Sequence, residues 1–180
     1  MHHARLTLIP HPDTPCDAVD SIEVELIRTA RRSLQLYYRV YGDVDQVQLP
    51  PPSEPVRADE LWRHTCFEAF LRPAAGEAYF EFNLATSMAW AVYGFDGYRA
   101  GMTPAELDTP PRINSRFKRR QLEVYAWLML DGLEGGPGPM DLGLSAVIET
   151  TDGTKSYWAL AHAPGKPDFH HPDAFAAELP

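Results

Sequence analysis

Apolar and polar residues alternate with a period of two along most of this chain, the spacing of strands whose successive side chains face opposite sides of a sheet. Ser21–Thr29 places Ile22, Val24 and Leu26 on one side, with Glu23, Glu25 and Arg28 expected largely outward. Leu34, Leu36, Tyr38 and Val40 continue the pattern over Ser33–Tyr41, predicting a hairpin that turns at Ala30–Arg32. Leu122, Val124, Ala126, Leu128 and Leu130 alternate over Gln121–Leu130, and Leu142, Leu144, Ala146 and Ile148 over Asp141–Glu149. Shorter strands are expected at Arg5–Ile9, Arg112–Lys118 and Lys155–Ala161, a strand or turn at Met88–Tyr93, and a short helix at Pro172–Glu178. No long stretch carries a helical period. About nine to eleven short strands with regular turn signals predict an all-β protein, a single-domain β-sandwich of immunoglobulin or jelly-roll type spanning residues 1–180.

The central pattern differs from the others. Thr65–Arg72 and Ala78–Ala85, joined by a turn at Pro73–Glu77, read as a hairpin. One face, with Phe67, Ala69, Leu71, Phe80, Phe82 and Leu84, is wholly apolar and should meet a core. The other carries Cys66, Glu68 and Phe70 beside Tyr79, Glu81 and Asn83, with Trp62, Arg63 and His64 leading in. Charged groups interleaved with aromatics suit a polar site on a sheet better than a solvated face. Before it, Gly42–Asp59 holds Pro50, Pro51, Pro52 and Pro55 and reads as a long, stiff loop that delivers Trp62. Gly94–Gly101 reads as a glycine-punctuated aromatic turn.

The chain has 180 residues, 44% of them hydrophobic, and a net charge of −9 from 16 basic and 25 acidic residues. An acidic surface repels phosphate backbones and anionic lipid, which argues against nucleic acid and membranes as partners. Cys16 and Cys66 form no metal-type or redox-type pair, and Cys66 reads as a buried thiol. The N-terminal residues lack the apolar run of a signal peptide, so a reducing cytoplasm is the expected location.

Several groups could carry chemistry. Glu68 and Glu81 lie on one face of adjacent strands, where two carboxylates can perturb each other and invite acid–base work, or can pair with Arg63, Arg72 or Arg99. Asn83 donates and accepts at once, which with Glu68 suits vicinal hydroxyls, and Arg99 is a planar donor fork for oxygen ligands. Among the tryptophans, Trp127 is expected in the core and Trp62 is the best stacking candidate. Trp158 and His162 share strand parity. His162, Asp168, His170, His171 and Asp173 lack metal-ligand spacing, so these histidines are expected to cap and pin the C-terminal segment. A haem axial role for His64 or His162 is the cofactor alternative.

Leu-Trp-Arg-His-Thr-Cys-Phe-Glu-Ala-Phe (61–70), Tyr-Phe-Glu-Phe-Asn-Leu-Ala (79–85) and Trp90 through Tyr98-Arg99 resemble the DOMON-like family, the bacterial branch related to family-nine carbohydrate-binding modules. Leu-Ser-Ala-Val-Ile-Glu (144–149), Tyr-Trp-Ala-Leu-Ala-His (157–162) and Gly-Lys-Pro-Asp-Phe-His-His (165–171) extend the resemblance. It implies a β-sandwich and a non-catalytic role in binding sugars or haem. Trp62 and Glu68 are similar to the pair that stacks on and hydrogen-bonds the sugar in the carbohydrate-binding relatives. Arg99 resembles a later arginine of that site, and Trp158 a second stacking tryptophan. The acidic pair that precedes the glutamate in many such modules is His64-Thr65 here, which argues against their calcium site.

The sequence therefore predicts a small-molecule site, most simply for a carbohydrate, built from Trp62, Arg63, His64, Glu68, Glu81, Asn83, Trp90, Tyr98, Arg99, Trp158 and His162. Neither a metal nor an obligatory cofactor is expected. The alternatives are a haem-binding module of the same fold and a carboxylate-pair enzyme acting on a sugar-like substrate. Oligomeric state is left open.

Overall fold

The computed structural model describes residues 1–29, 32–74, 76–136 and 138–180. Ala30 and Arg31 of the first expected turn, Ala75 of the central one and Pro137 of the Gly132–Pro139 turn lie outside the described residues. The strands are β1 (His2–Pro10), β2 (Val19–Thr29), β3 (Ser33–Gly42), β4 (Cys66–Pro73), β5 (Tyr79–Leu84) and β6 (Trp90–Phe95). They continue as β7 (Thr103–Pro104), β8 (Arg112–Lys118), β9 (Gln121–Met129), β10 (Met140–Glu149), β11 (Lys155–Ala159) and β12 (Ala177–Leu179). The short helix expected at Pro172–Glu178 is instead a 3-10 turn at Pro172–Ala174 followed by β12, because Ala177–Leu179 finds an open length of β10 to pair with.

Two antiparallel sheets form a β-sandwich. The first has the order β1-β2-β3-β9-β8 and the second β7-β6-β5-β4-β10-β11. Strand β1 belongs to both, since His2–Leu8 pairs with β2 while Ile9 and Pro10 pair with β11. Alternation sends Ile22, Val24, Leu36, Val124 and Leu128 from the first sheet against Phe67, Phe82, Leu84, Leu144 and Ile148 from the second. The Tyr38 hydroxyl crosses this core to donate to the Glu68 carbonyl at 2.8 Å, so one hydrogen bond ties the sheets beneath the polar face of β4.

Two expectations about side-chain direction fail. Arg28 shares the parity of Leu26 and points inward, only 2% exposed. Its guanidinium donates to the carbonyls of Gly136, Gly138, Leu179 and Pro180, which makes burial of the charge tolerable. Trp127, expected in the core, lies half-buried on the outer face of the first sheet, because Ala126 and Leu128 take the inward positions. The Arg112 guanidinium lies 4.9 Å from its ring centre.

The second sheet is buried on both faces. Its outer face carries Phe70, Tyr79, Tyr93, Phe95 and Val147, and the chain after β11 folds back over it with Phe169 and Phe175. Gly143 permits this approach, since a Cβ there would sit 3.1 Å from the Ala174 carbonyl oxygen and 3.3 Å from Phe70. This cover explains why the outer face of the central hairpin is rich in aromatics.

Candidate functional site

The covering segment leaves a cleft of about 320 Å³ over the outer face of the second sheet. Four of the anticipated residues line it: Trp62, Glu68, Glu81 and Arg99. The central hairpin supplies the floor. In its register Glu68 pairs with Asn83, and Phe70 with Glu81, so the two glutamates are diagonal neighbours on one face.

Both carboxyls are buried, Glu68 at 2% and Glu81 at 4% exposure. Ser145, opposite Glu68 on β10, donates its hydroxyl to Glu68 Oε2 at 3.2 Å, while Glu68 Oε1 has no hydrogen-bond partner among the described residues. Burial first, and the neighbouring Glu81 charge second, push the Glu68 carboxyl well above the usual carboxylate range. Burial lifts Glu81 to about 7 against the opposing effects of its Asn83 hydrogen bond and the Arg99 charge. Neither carboxylate meets an arginine in an ion pair: Arg63 pairs with Glu60, Arg72 with Asp141 and Arg99 with Asp168.

Asn83, on the same face as both glutamates, is fully buried and does not line the cleft. Its Nδ2 donates to Glu81 Oε1 at 2.9 Å, and its Oδ1 accepts from the Cys66 thiol at 3.6 Å. Its role is to orient Glu81. Trp62 forms one wall from a 3-10 turn, Leu61–Arg63, at the end of the proline-rich loop. Its ring meets Tyr93 edge-to-face at 5.7 Å, and the Tyr93 hydroxyl donates to Asp59 at 2.6 Å, fastening the loop to the sheet.

The opposite wall comes from the tail, whose histidines were expected only to cap and pin it. His170 lines the cleft with Phe169, beside Phe95 and Tyr157 from the sheet. The Tyr79 hydroxyl oxygen accepts the Arg99 backbone N–H at 3.2 Å, and the same hydroxyl is hydrogen-bonded to His170 Nδ1, 2.8 Å away. The other ring nitrogen, Nε2, faces Glu81 Oε2 at 3.8 Å. Burial and the Arg99 charge lower His170 to about 4, so the ring is neutral at physiological pH and this contact is no ion pair. Asp168 holds Arg99 Nη2 at 2.7 Å, accepts the His170 backbone N–H at 3.1 Å and accepts the Tyr98 hydroxyl.

Other anticipated residues lie elsewhere. Trp90 and Trp158 point into the sandwich core, Trp158 donating to Ser156 Oγ at 3.0 Å, because Leu84 and Ala146 opposite them are inward positions. Arg63 and His64 are exposed, and His64 Nδ1 lies 2.7 Å from Glu149. His162 reaches the Ile9 carbonyl at 2.9 Å. Neither histidine lines the cleft, so the axial-ligand role considered for them has no place there. Tyr98 sits outside the cleft at the rim, against Asp168 and His171. The signal for the missed wall was the run Pro167-Asp168-Phe169-His170, aromatic and titratable within a proline-rich tail.

A crystal structure from Bacteroides uniformis, provisionally described as a carbohydrate-binding protein, superposes with a TM-score of 0.70 at 14% identity, covering 96% of this chain and 83% of that one. A family-nine carbohydrate-binding module from Caldicellulosiruptor kristjanssonii, solved in complex with glucose, matches with a TM-score of 0.50 at 12% identity, over 88% and 74% of the two chains. The fold is shared with the family-nine carbohydrate-binding modules. At these identities the likeness is one of fold alone. No family model matches the chain, and no curated protein matches it in sequence.

Proposed function

We propose that this β-sandwich binds a small saccharide, without catalysis, in the cleft over the outer face of its second sheet. The observation that carries this reading is the pair of buried carboxyls, Glu68 and Glu81, on the floor of a cleft walled by Trp62. The indole offers a flat apolar face to a sugar ring, and the shared fold includes a module solved with glucose bound.

Geometry favours binding over turnover. A glycosidase pair flanks the scissile bond from two sides, whereas Glu68 and Glu81 rise from one face of one hairpin and would meet the same side of a ligand. Calorimetric titration with a panel of mono- and disaccharides tests the reading. Trp62→Ala and Glu68→Gln should each weaken binding at least tenfold, about 1.4 kcal/mol. Unchanged affinity in both variants rejects the site, and steady release of nitrophenol from aryl glycosides rejects the non-catalytic role.

A further inference from the structure

We infer that the saccharide this cleft takes carries a protonated amine, and that the amine is held by Glu68 and Glu81 against the aromatic walls. This rests on the saccharide-binding reading above and names the class of sugar. The floor of the cleft is built from two carboxyl groups, and among the described residues no arginine or lysine pairs with either. Among the described residues Glu68 Oε1 is buried with no hydrogen-bond partner, and Glu81 Oε2 faces the His170 ring at 3.8 Å. Among the described residues the one cationic side chain lining the cleft, Arg99, is bound to Asp168 at 2.7 Å. His170, buried beside the Arg99 charge, is neutral at physiological pH and adds no positive charge. A ligand carboxylate or phosphate would thus set a further negative charge against two acidic side chains, whereas an ammonium can pair with both and favours their charged form.

The walls point the same way. Trp62, Phe95, Tyr157 and Phe169 surround the acidic floor, and aromatic faces attract cations, tryptophan most strongly. A divalent metal is a poorer occupant, because among the described residues no three His, Cys, Asp or Glu side chains come together as ligands. Glu81 is faced by Glu68 and Cys66 from β4, by Tyr93 from β6, by Arg99 from the turn after β6, by Tyr79 and Asn83 on its own strand, and by His170 and Asp168 from the tail. Of these only Arg99 is cationic at neutral pH, and its charge is shared with Asp168.

An entering ammonium favours ionised glutamates, so it must displace a proton that the empty cleft retains at neutral pH. Binding then weakens on acidification, approaching tenfold per pH unit below about 7 when one proton is displaced. A sugar amine with a pKa near about 8, like an α-amino group, stays charged over that range. Glucosamine, glucose, N-acetylglucosamine and glucuronate should be titrated into the full chain by calorimetry at pH 5.5, 6.5 and 7.5, and in two buffers of different ionisation heat.

Glucosamine is expected to bind at least tenfold more tightly than the other three at pH 7.5, with net proton release and a steep loss at pH 5.5. Glu81→Gln, which keeps the side chain's shape, should remove both the preference and the pH dependence. Glucose or N-acetylglucosamine binding as well as glucosamine would overturn the amine assignment while leaving the saccharide reading intact, as would glucosamine binding independent of pH. Tighter binding of glucuronate would do the same. Absence of binding by all four overturns both.

Discussion

Replacing Glu81 by glutamine should stabilise this protein, and only above a defined pH. The carboxyl rises from an ordinary value of 4.5 to about 7 in the folded chain, chiefly through burial. The folded state therefore holds this proton more tightly than the unfolded state. Stability contributed by the neutral carboxyl is fully present below about 4.5 and is lost as pH rises through about 7. At about 1.4 kcal/mol for each tenfold change in proton affinity, the loss approaches 3 kcal/mol by pH 8. Glutamine cannot ionise, and its Oε1 can accept the same Asn83 hydrogen bond that Glu81 accepts at 2.9 Å. Urea denaturation of the wild type and Glu81→Gln at pH 5 and pH 8 reads the difference. Near-equal stability is expected at pH 5, and at pH 8 a variant midpoint raised by about 1.5 M for a slope near 2 kcal/mol/M. A variant that is no more stable than the wild type at pH 8 would refute the claim that burial of an ionised Glu81 is costly.

Arg28→Met should destabilise by about 3 kcal/mol, since it deprives four buried or half-buried carbonyls of their donor; a loss below about 1 kcal/mol in urea would mean that water replaces the guanidinium. Tyr38→Phe removes only the 2.8 Å bond to the Glu68 carbonyl, and should cost about 1–2 kcal/mol by thermal unfolding with the fold retained. Trp158→Ala should cost about 3–5 kcal/mol because it opens a cavity in the sandwich core, whereas Trp62→Ala, at the cleft wall, should cost far less. Similar destabilisation by the two tryptophan variants would contradict their placement.

The alternation of β2, β3, β9 and β10 was legible because a period of two is a local property, and a sandwich interior selects it strand by strand. The same logic placed Phe67, Phe82 and Leu84 on one side of the central hairpin and Glu68, Glu81 and Asn83 on the other. Strict parity also contained the positions of Arg28, Trp90 and Trp158. Residue chemistry argued against parity there, and parity prevailed because long side chains find inward partners: carbonyls for Arg28, Arg57 stacked 4.6 Å from Trp90, and Ser156 for Trp158.

What the sequence determined by itself was an all-β sandwich with a charged, aromatic face on its central hairpin, since both follow from side chains within a few residues of one another. What only the tertiary structure decided was which distant residues meet that face. His170 and Glu81 are 89 positions apart in the chain and 3.8 Å apart in space. Their meeting depends on the tail crossing the sheet at Gly143 and on Asp168 gripping Arg99. No local pattern encodes such a crossing, because its stabilisation comes from burying Phe169 and Phe175 against residues from several strands at once.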